Sequence, residues 1–168
     1  MSSRNAIIAE IPRLRRYARA LTGDMHLADD LVQATLERAM EKWRLWRRDR
    51  DLRPWLLSIM HNLHVDQLRH GKHIDYCAED DLPDIPCRPE QLDSLEIRDL
   101  DRALALLPLE QREVILLVGL EELSYKEVAD TLGIPLGSVM SRLSRARTRL
   151  KAILSGETSP HHLHVVSS

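Results

Sequence analysis

Residues 123–149 read LSYKEVADTLGIPLGSVMSRLSRARTR, and the order of caps, breakers and apolar positions in this stretch spells a helix-turn-helix. Ser124 followed three residues later by Glu127 is a capping box, which satisfies free N–H groups at a helix start. Val128, Ala129 and Leu132 give that first helix one apolar face. Gly133 ends it, because a residue without a Cβ enters the left-handed cap freely. Pro135 opens the next helix, where a missing N–H costs nothing. The second helix repeats apolar residues at Val139, Leu143, Ala146, Leu150 and Ile153, a single stripe at helical spacing. Its other faces carry Ser138, Ser141, Arg142, Ser144, Arg145, Arg147, Arg149 and Lys151. A short support helix, a tight turn and a basic helix with small polar residues near its start is how a chain sets a helix into the major groove. A helical hairpin with a solvated basic face is the plainer alternative, but capping, turn and charge all favour the groove-reading one.

Composition sets the outer limits. The chain has 168 residues, enough for one domain or two small ones. Phe is absent, so Leu, Ile, Val and Ala must fill its cores. There is no run of about 18 apolar residues, so no membrane span is expected. The start, MSSRNAIIAEIPRLRRYARA, interleaves charges at helical spacing and is no signal peptide, which points to a cytoplasmic protein. The net charge of −2 conceals an asymmetry: +4 over residues 1–70, −6 over 71–100 and zero over 101–168. Near-neutrality therefore leaves nucleic acid open, since phosphates respond to the local field.

Periodicity organises the rest as all-α, two small helical domains joined by a flexible acidic linker. The first domain, residues 1–70, reads as three helices. One runs over Asn5–Leu21 with Gly23 behind it, and one over His26–Trp46 with Leu27, Leu31, Thr35, Ala39, Trp43 and Trp46 near one stripe. The third starts at Pro54 and ends before Gly71, burying Trp55, Leu56, Ile59, Met60 and Leu63. Residues 71–89 hold Pro83, Pro86 and Pro89 among Glu79, Asp80, Asp81 and Asp84, a linker by composition. A second domain follows over 90–154: a helix over Glu90–Leu107, a nearly all-apolar one over Pro108–Leu120, then the helix-turn-helix. Residues 155–168 read as a disordered tail.

In this order the segments RLRRYARALTGD (13–24), ADDLVQATLERAM (28–40), RPWLLSIMHNLHVDQLR (53–69), LALLPLEQREVILL (104–117) and LSYKEVADTLGIPLGSVMSRLSRAR (123–147) resemble the bacterial RNA polymerase sigma factors of the extracytoplasmic-function type. The resemblance covers about residues 6–154. It implies promoter-specific transcription initiation as a dissociable subunit of RNA polymerase core, with no cofactor and no catalysis of its own. It implies as partners the clamp helices of the polymerase largest subunit, the polymerase flap, promoter DNA and an anti-sigma protein.

Residue roles follow from the same resemblance. Asp29, Asp30, Leu31, Val32 and Gln33 match the core-binding motif, where acidic and amide groups beside exposed apolar residues suit a protein partner; Ala34 stands where an acidic residue is common. Trp46, Arg48, Arg50, Arg53, Asn62 and Arg69 match the element that melts and reads the −10 region. Unstacking a base there costs a few kcal/mol, offset by trapping it and gripping the single strand. Trp46 reads equally well as a core residue at a helix end. Ser138, Ser141, Arg142, Arg145 and Arg149 match the −35 reader, where a guanidinium binds guanine bidentately or holds phosphate. Met140 departs from the Lys or Arg usual in the family. The acidic linker corresponds to a segment threading a polymerase channel, or equally to a solvated tether.

Other chemistry finds little support. His73, Cys77 and Cys87 supply three ligands at a spacing that fits no common zinc pattern. His161, His162 and His164 are weaker still. No phosphate-binding glycine loop, nucleophile elbow or HExxH occurs. Two other functions remain in view: a stand-alone helix-turn-helix regulator, which would need a dimer interface to match paired half-sites, and a sigma-mimicking interaction protein, which would tolerate loss of the DNA-facing arginines.

Overall fold

A computed structural model describes residues 3–74 and 95–156. Cys77, Cys87, most of the acidic linker and the tail from residue 157 lie outside the described residues, as do the side chains of residues 3, 72–74 and 95–97. Among the described residues there are seven α-helices and one 3₁₀ turn, and no strand. Helices α1 (Ser3–Thr22), α2 (Met25–Glu41) and α3 (Leu52–Ile74) form the first domain. Helices α4 (Leu95–Leu106), α5 (Leu109–Gly119), α6 (Tyr125–Leu132) and α7 (Leu136–Leu154) form the second.

The helix boundaries have local causes. Asp24 caps α2 by accepting from the Leu27 N–H at 2.9 Å. The expected extension of α2 to Trp46 does not occur. The chain tightens at Glu41 into a 3₁₀ turn over Trp43–Leu45, which gathers Trp43, Trp46 and Trp55 into one cluster. Trp43 and Trp46 lie 4.9 Å apart between ring centroids, and Trp55 packs on both from α3 at 6.2 and 6.4 Å. Helix α3 starts two residues before Pro54, whose lacking N–H is harmless in a first turn. It also runs through Gly71 to Ile74 rather than stopping there, since one interior glycine costs only about 1 kcal/mol relative to alanine. The inward stripe of α2 is Ala28, Leu31, Val32, Thr35 and Ala39; Leu27, expected on it, is exposed.

The two domains share one continuous core. Leu14, Tyr17, Leu21, Leu31, Leu56 and Met60 belong to the same buried cluster as Leu107, Val114, Leu117, Val128, Val139 and Leu143. Helix α1 lies against α4 and α5, and α3 lies against α6. Polar ties cross the same boundary. Arg112, at the start of α5, donates to the carbonyls of Leu104, Ala105 and Leu107 behind α4 and, from Nη1, to Leu21 O of α1 at 2.8 Å. One guanidinium thus caps the C-terminal carbonyls of two helices, where a cation also suits the helix dipole. His61 Nδ1 on α3 meets the buried Glu113 carboxylate on α5. Arg16 on α1 reaches Leu120 O at 3.4 Å and lies 4.0 Å from the Glu121 carboxylate.

Candidate nucleic-acid interface

The helix-turn-helix forms as the sequence spells it. Ser124 accepts from the Glu127 N–H at 3.1 Å, with its own backbone extended. Gly133 closes α6 at φ +66°, and its N–H bonds Ala129 O. A Cβ at that position would meet no neighbour, so the requirement for glycine is purely one of backbone conformation. Pro135 is the N-cap of α7. Val139, Leu143 and Ala146 are buried, and Leu150 and Ile153 pack on the core from the next turns. This single-sided burial fixes the rotation of α7 and presents Ser141, Ser144, Arg145 and Arg149 to solvent, with Ser138 half-buried.

Arg142 takes a different place from its fellows. It is half-buried and its guanidinium lies 3.9 Å from the Glu110 carboxylate on α5. It lines a cleft between the domains together with Arg69, His61 and Glu113. One −35 candidate and one −10 candidate therefore line the same cleft; Arg69 stays exposed at its rim, whereas Arg142 is drawn toward Glu110.

On the first domain, Arg48, Arg50, Asn62 and Arg69 are exposed. Arg53 is not a free phosphate ligand: its Nε donates to Glu10 Oε2 at 3.0 Å, tying the start of α3 to α1. Trp46 is half-buried within the tryptophan cluster, and its indole N–H is buried without a hydrogen-bond partner. On α2, Asp29, Asp30 and Gln33 are exposed, and Gln33 Nε2 donates to Glu37 at 3.3 Å. Leu31 and Val32, expected as exposed apolar contacts for a partner, are instead 0% and 3% exposed. They lie on the inward stripe of α2, so the outer surface there is polar.

Three charged groups at the domain boundary were not singled out in the sequence, Glu113 and Glu121 buried and Arg112 half-buried. Arg112, Glu113 and Glu121 make the ties between the domains. The signal for Glu113 was present: with Leu109, Leu116 and Leu120 it falls on one helical stripe, a carboxylate where an apolar residue belongs. Burial raises the Glu121 carboxyl above its ordinary value, against the pull of Arg16, Arg53 and Arg13. Burial lowers the His64 imidazole, with Glu113 opposing. Among the described residues, no group of three His, Cys, Asp or Glu side chains converges on a metal position, and no helix is long and apolar enough to cross a membrane.

Two helical domains, the second a helix-turn-helix with a polar and basic outer face, define a DNA-reading protein of the transcription machinery. Comparison with known proteins makes the class specific. Residues 7–61 match the sigma2 domain of PhyR, and residues 97–150 match sigma-70 region 4. The chain is 35% identical to the ECF RNA polymerase sigma factor EcfG of Rhodopseudomonas palustris over 91% of this chain and 85% of that one. It is 32% identical to the ECF sigma factor SigM of Bacillus subtilis over 82% of this chain and 86% of that one. A solved structure of the sigma factor RpoE in complex with the anti-sigma factor NepR from Bartonella quintana superposes with a TM-score of 0.81 at 32% identity, covering 92% of this chain and 98% of that one. The chain belongs to the ECF RNA polymerase sigma factors, the subunits that direct transcription initiation at particular promoters.

Proposed function

We propose that the chain divides promoter recognition between its two domains. Residues 1–74 bind polymerase core through the polar outer face of α2, at Asp29, Asp30 and Gln33, and read the −10 element through Asn62, Arg48, Arg50 and Arg69 beside the tryptophan cluster. Residues 95–154 read the −35 element through Ser141, Ser144 and Arg145 on α7 and contact the polymerase flap. Arg149 holds phosphate further along the helix. The observation that carries this reading is the rotation of α7: one face is wholly committed to the core, and the opposite face offers hydroxyls and guanidinium groups at the positions a recognition helix uses. An anti-sigma partner is proposed on the likeness to RpoE, which was solved with NepR bound.

Run-off transcription with bacterial core polymerase on a library of promoters tests it. Specific start sites that require this chain, and that weaken with Arg145→Ala or Asn62→Ala, are expected. A second reading is a mimic that captures an anti-sigma protein: the first domain matches the sigma2 domain of PhyR, and PhyR is an anti-anti-sigma factor that was solved in complex with the anti-sigma factor NepR. It predicts core binding that is weak or absent, no initiation, and tight binding to an anti-sigma protein. Duplex DNA bound by the chain alone without core would favour a stand-alone regulator.

A further inference from the structure

Helix α7 carries an apolar edge that the core does not use. Leu136 and Met140, four residues apart and so neighbours on one face, are 48% and 53% exposed. The α6 residue Tyr125 is 37% exposed, and Met140, Tyr125, Ser144, Arg147 and Thr148 line a shallow groove between α6 and α7. Met140 follows the fully buried Val139 and so points about 100° round the helix from the core. That places it between the core and the outermost residues Ser141 and Ser144. A thioether on the first two turns of a recognition helix contributes neither to packing nor to phosphate attraction.

The chemistry of the major groove supplies a partner for it. The C5-methyl of thymine is the one apolar group that a base pair displays there, and apolar side chains read it by contact. Methionine is suited to this, because its unbranched chain adjusts to an irregular surface. The surroundings agree in charge: Arg147, seven residues on from Met140 and so on the same face, lines the groove and is exposed, whereas Arg142 is drawn aside toward Glu110. The reading edge is thereby shifted from Arg142 to the Met140 side of the helix. We propose that Met140, supported by Leu136, is a specificity-determining residue that selects thymine in the −35 element through its methyl group. This deepens the sigma-factor reading above and rests on it.

The test removes only the methyl. Promoters are selected from a pool randomised across the −35 region, using holoenzyme made from bacterial core polymerase and the full chain. Each −35 thymine of a selected promoter is then replaced by deoxyuridine, and initiation is compared. The expected result is a selected thymine at which deoxyuridine lowers wild-type initiation about fourfold, the effect of one buried methyl-sized group. Met140→Ala then treats thymine and deoxyuridine alike at that position, and Met140→Lys selects a different base there. Met140→Gln, of similar length but polar at its tip, serves as the second variant and gives the same levelled response. The proposal is overturned if no thymine is selected, if wild type is indifferent to deoxyuridine, or if the difference persists in both variants. Selection that yields no start site with wild type would overturn the sigma-factor reading itself, and this proposal with it.

Discussion

Arg112 shows how much one side chain does in this fold. Its three nitrogens serve four carbonyls, three behind α4 and one at the end of α1. A planar guanidinium can reach all four at once and an ammonium cannot. Arg112→Lys is therefore expected to destabilise nearly as much as Arg112→Ala, by about 2–4 kcal/mol given the usual strength of charged hydrogen bonds. Urea unfolding followed by circular dichroism reads this; a lysine variant of wild-type stability would show that charge, not fork geometry, is what matters. Glu121 makes an opposite case. Its carboxyl is raised by burial, first of all, and both its oxygens lack a hydrogen-bond partner. A raised folded-state value means the folded chain holds the proton to higher pH than the unfolded chain does. Stability is then greatest below the ordinary value of 4.5 and declines as pH rises through the folded value. Glu121→Gln is expected to be more stable than wild type at pH 7.5, with the advantage shrinking toward pH 4. An advantage independent of pH would mean that ionisation is not its source. His64 runs the other way: with its imidazole lowered from 6.5 by burial, the wild type loses stability as pH falls from that value through the folded one. Flattening of that slope in His64→Leu would identify the group.

At the scale of elements, what could be read from the sequence divides by whether the cause is local. The helix-turn-helix was legible because each of its boundaries is set by a residue within it: Ser124, Gly133 and Pro135 all act through backbone geometry over one turn. The stripe of α7 was legible for the same reason, and so were the exposed serines and arginines opposite it. Ser124→Ala is expected to cost about 1 kcal/mol, the usual loss of an N-cap acceptor, seen as a lowered midpoint in thermal unfolding. No change would mean that water or Glu127 alone satisfies the end of α6. The end of α2 was not legible, because no glycine or proline marks it; the 3₁₀ turn is set by tryptophans meeting across α2 and α3, a tertiary cause. Gly71 misled in the other direction, since a glycine ends a helix only where the chain turns left-handed, and here it does not. Leu31 and Val32 were assigned to a partner surface by motif, and the packing of α2 on α1 and α3 claimed them instead.

The closed arrangement of the whole molecule follows from contacts far apart in sequence, which no local pattern announces. It also sets a physical requirement for function. The −10 and −35 elements lie about 25 base pairs apart, roughly 85 Å of duplex at 3.4 Å per step. A compact chain of this length has a radius of gyration of only about 15 Å. On the proposed division of promoter reading, the two faces cannot reach both elements while the domains share one core, and Arg142, drawn toward Glu110, adds to the mismatch. Opening must break the apolar contacts of α1 with α5 and of α3 with α6, along with the ties made by Arg112, Glu113 and Glu121. Apolar burial favours closure without regard to register, whereas the polar ties are directional and are lost together once the faces part. Glu113 is the most exposed to perturbation, since its carboxylate is buried between His61 and the second domain's own core. Glu113→Lys sets a cation against His61 and beside Arg112, and a buried unpaired charge is costly enough to force the faces apart. Small-angle scattering is expected to show the radius of gyration rising by several Å, with helix content by circular dichroism unchanged. Glu113→Gln, which keeps the shape and removes the charge, is expected to give a smaller rise. Scattering profiles identical to wild type for both variants would show that the apolar contacts alone hold the domains closed, and that the polar ties only set their register.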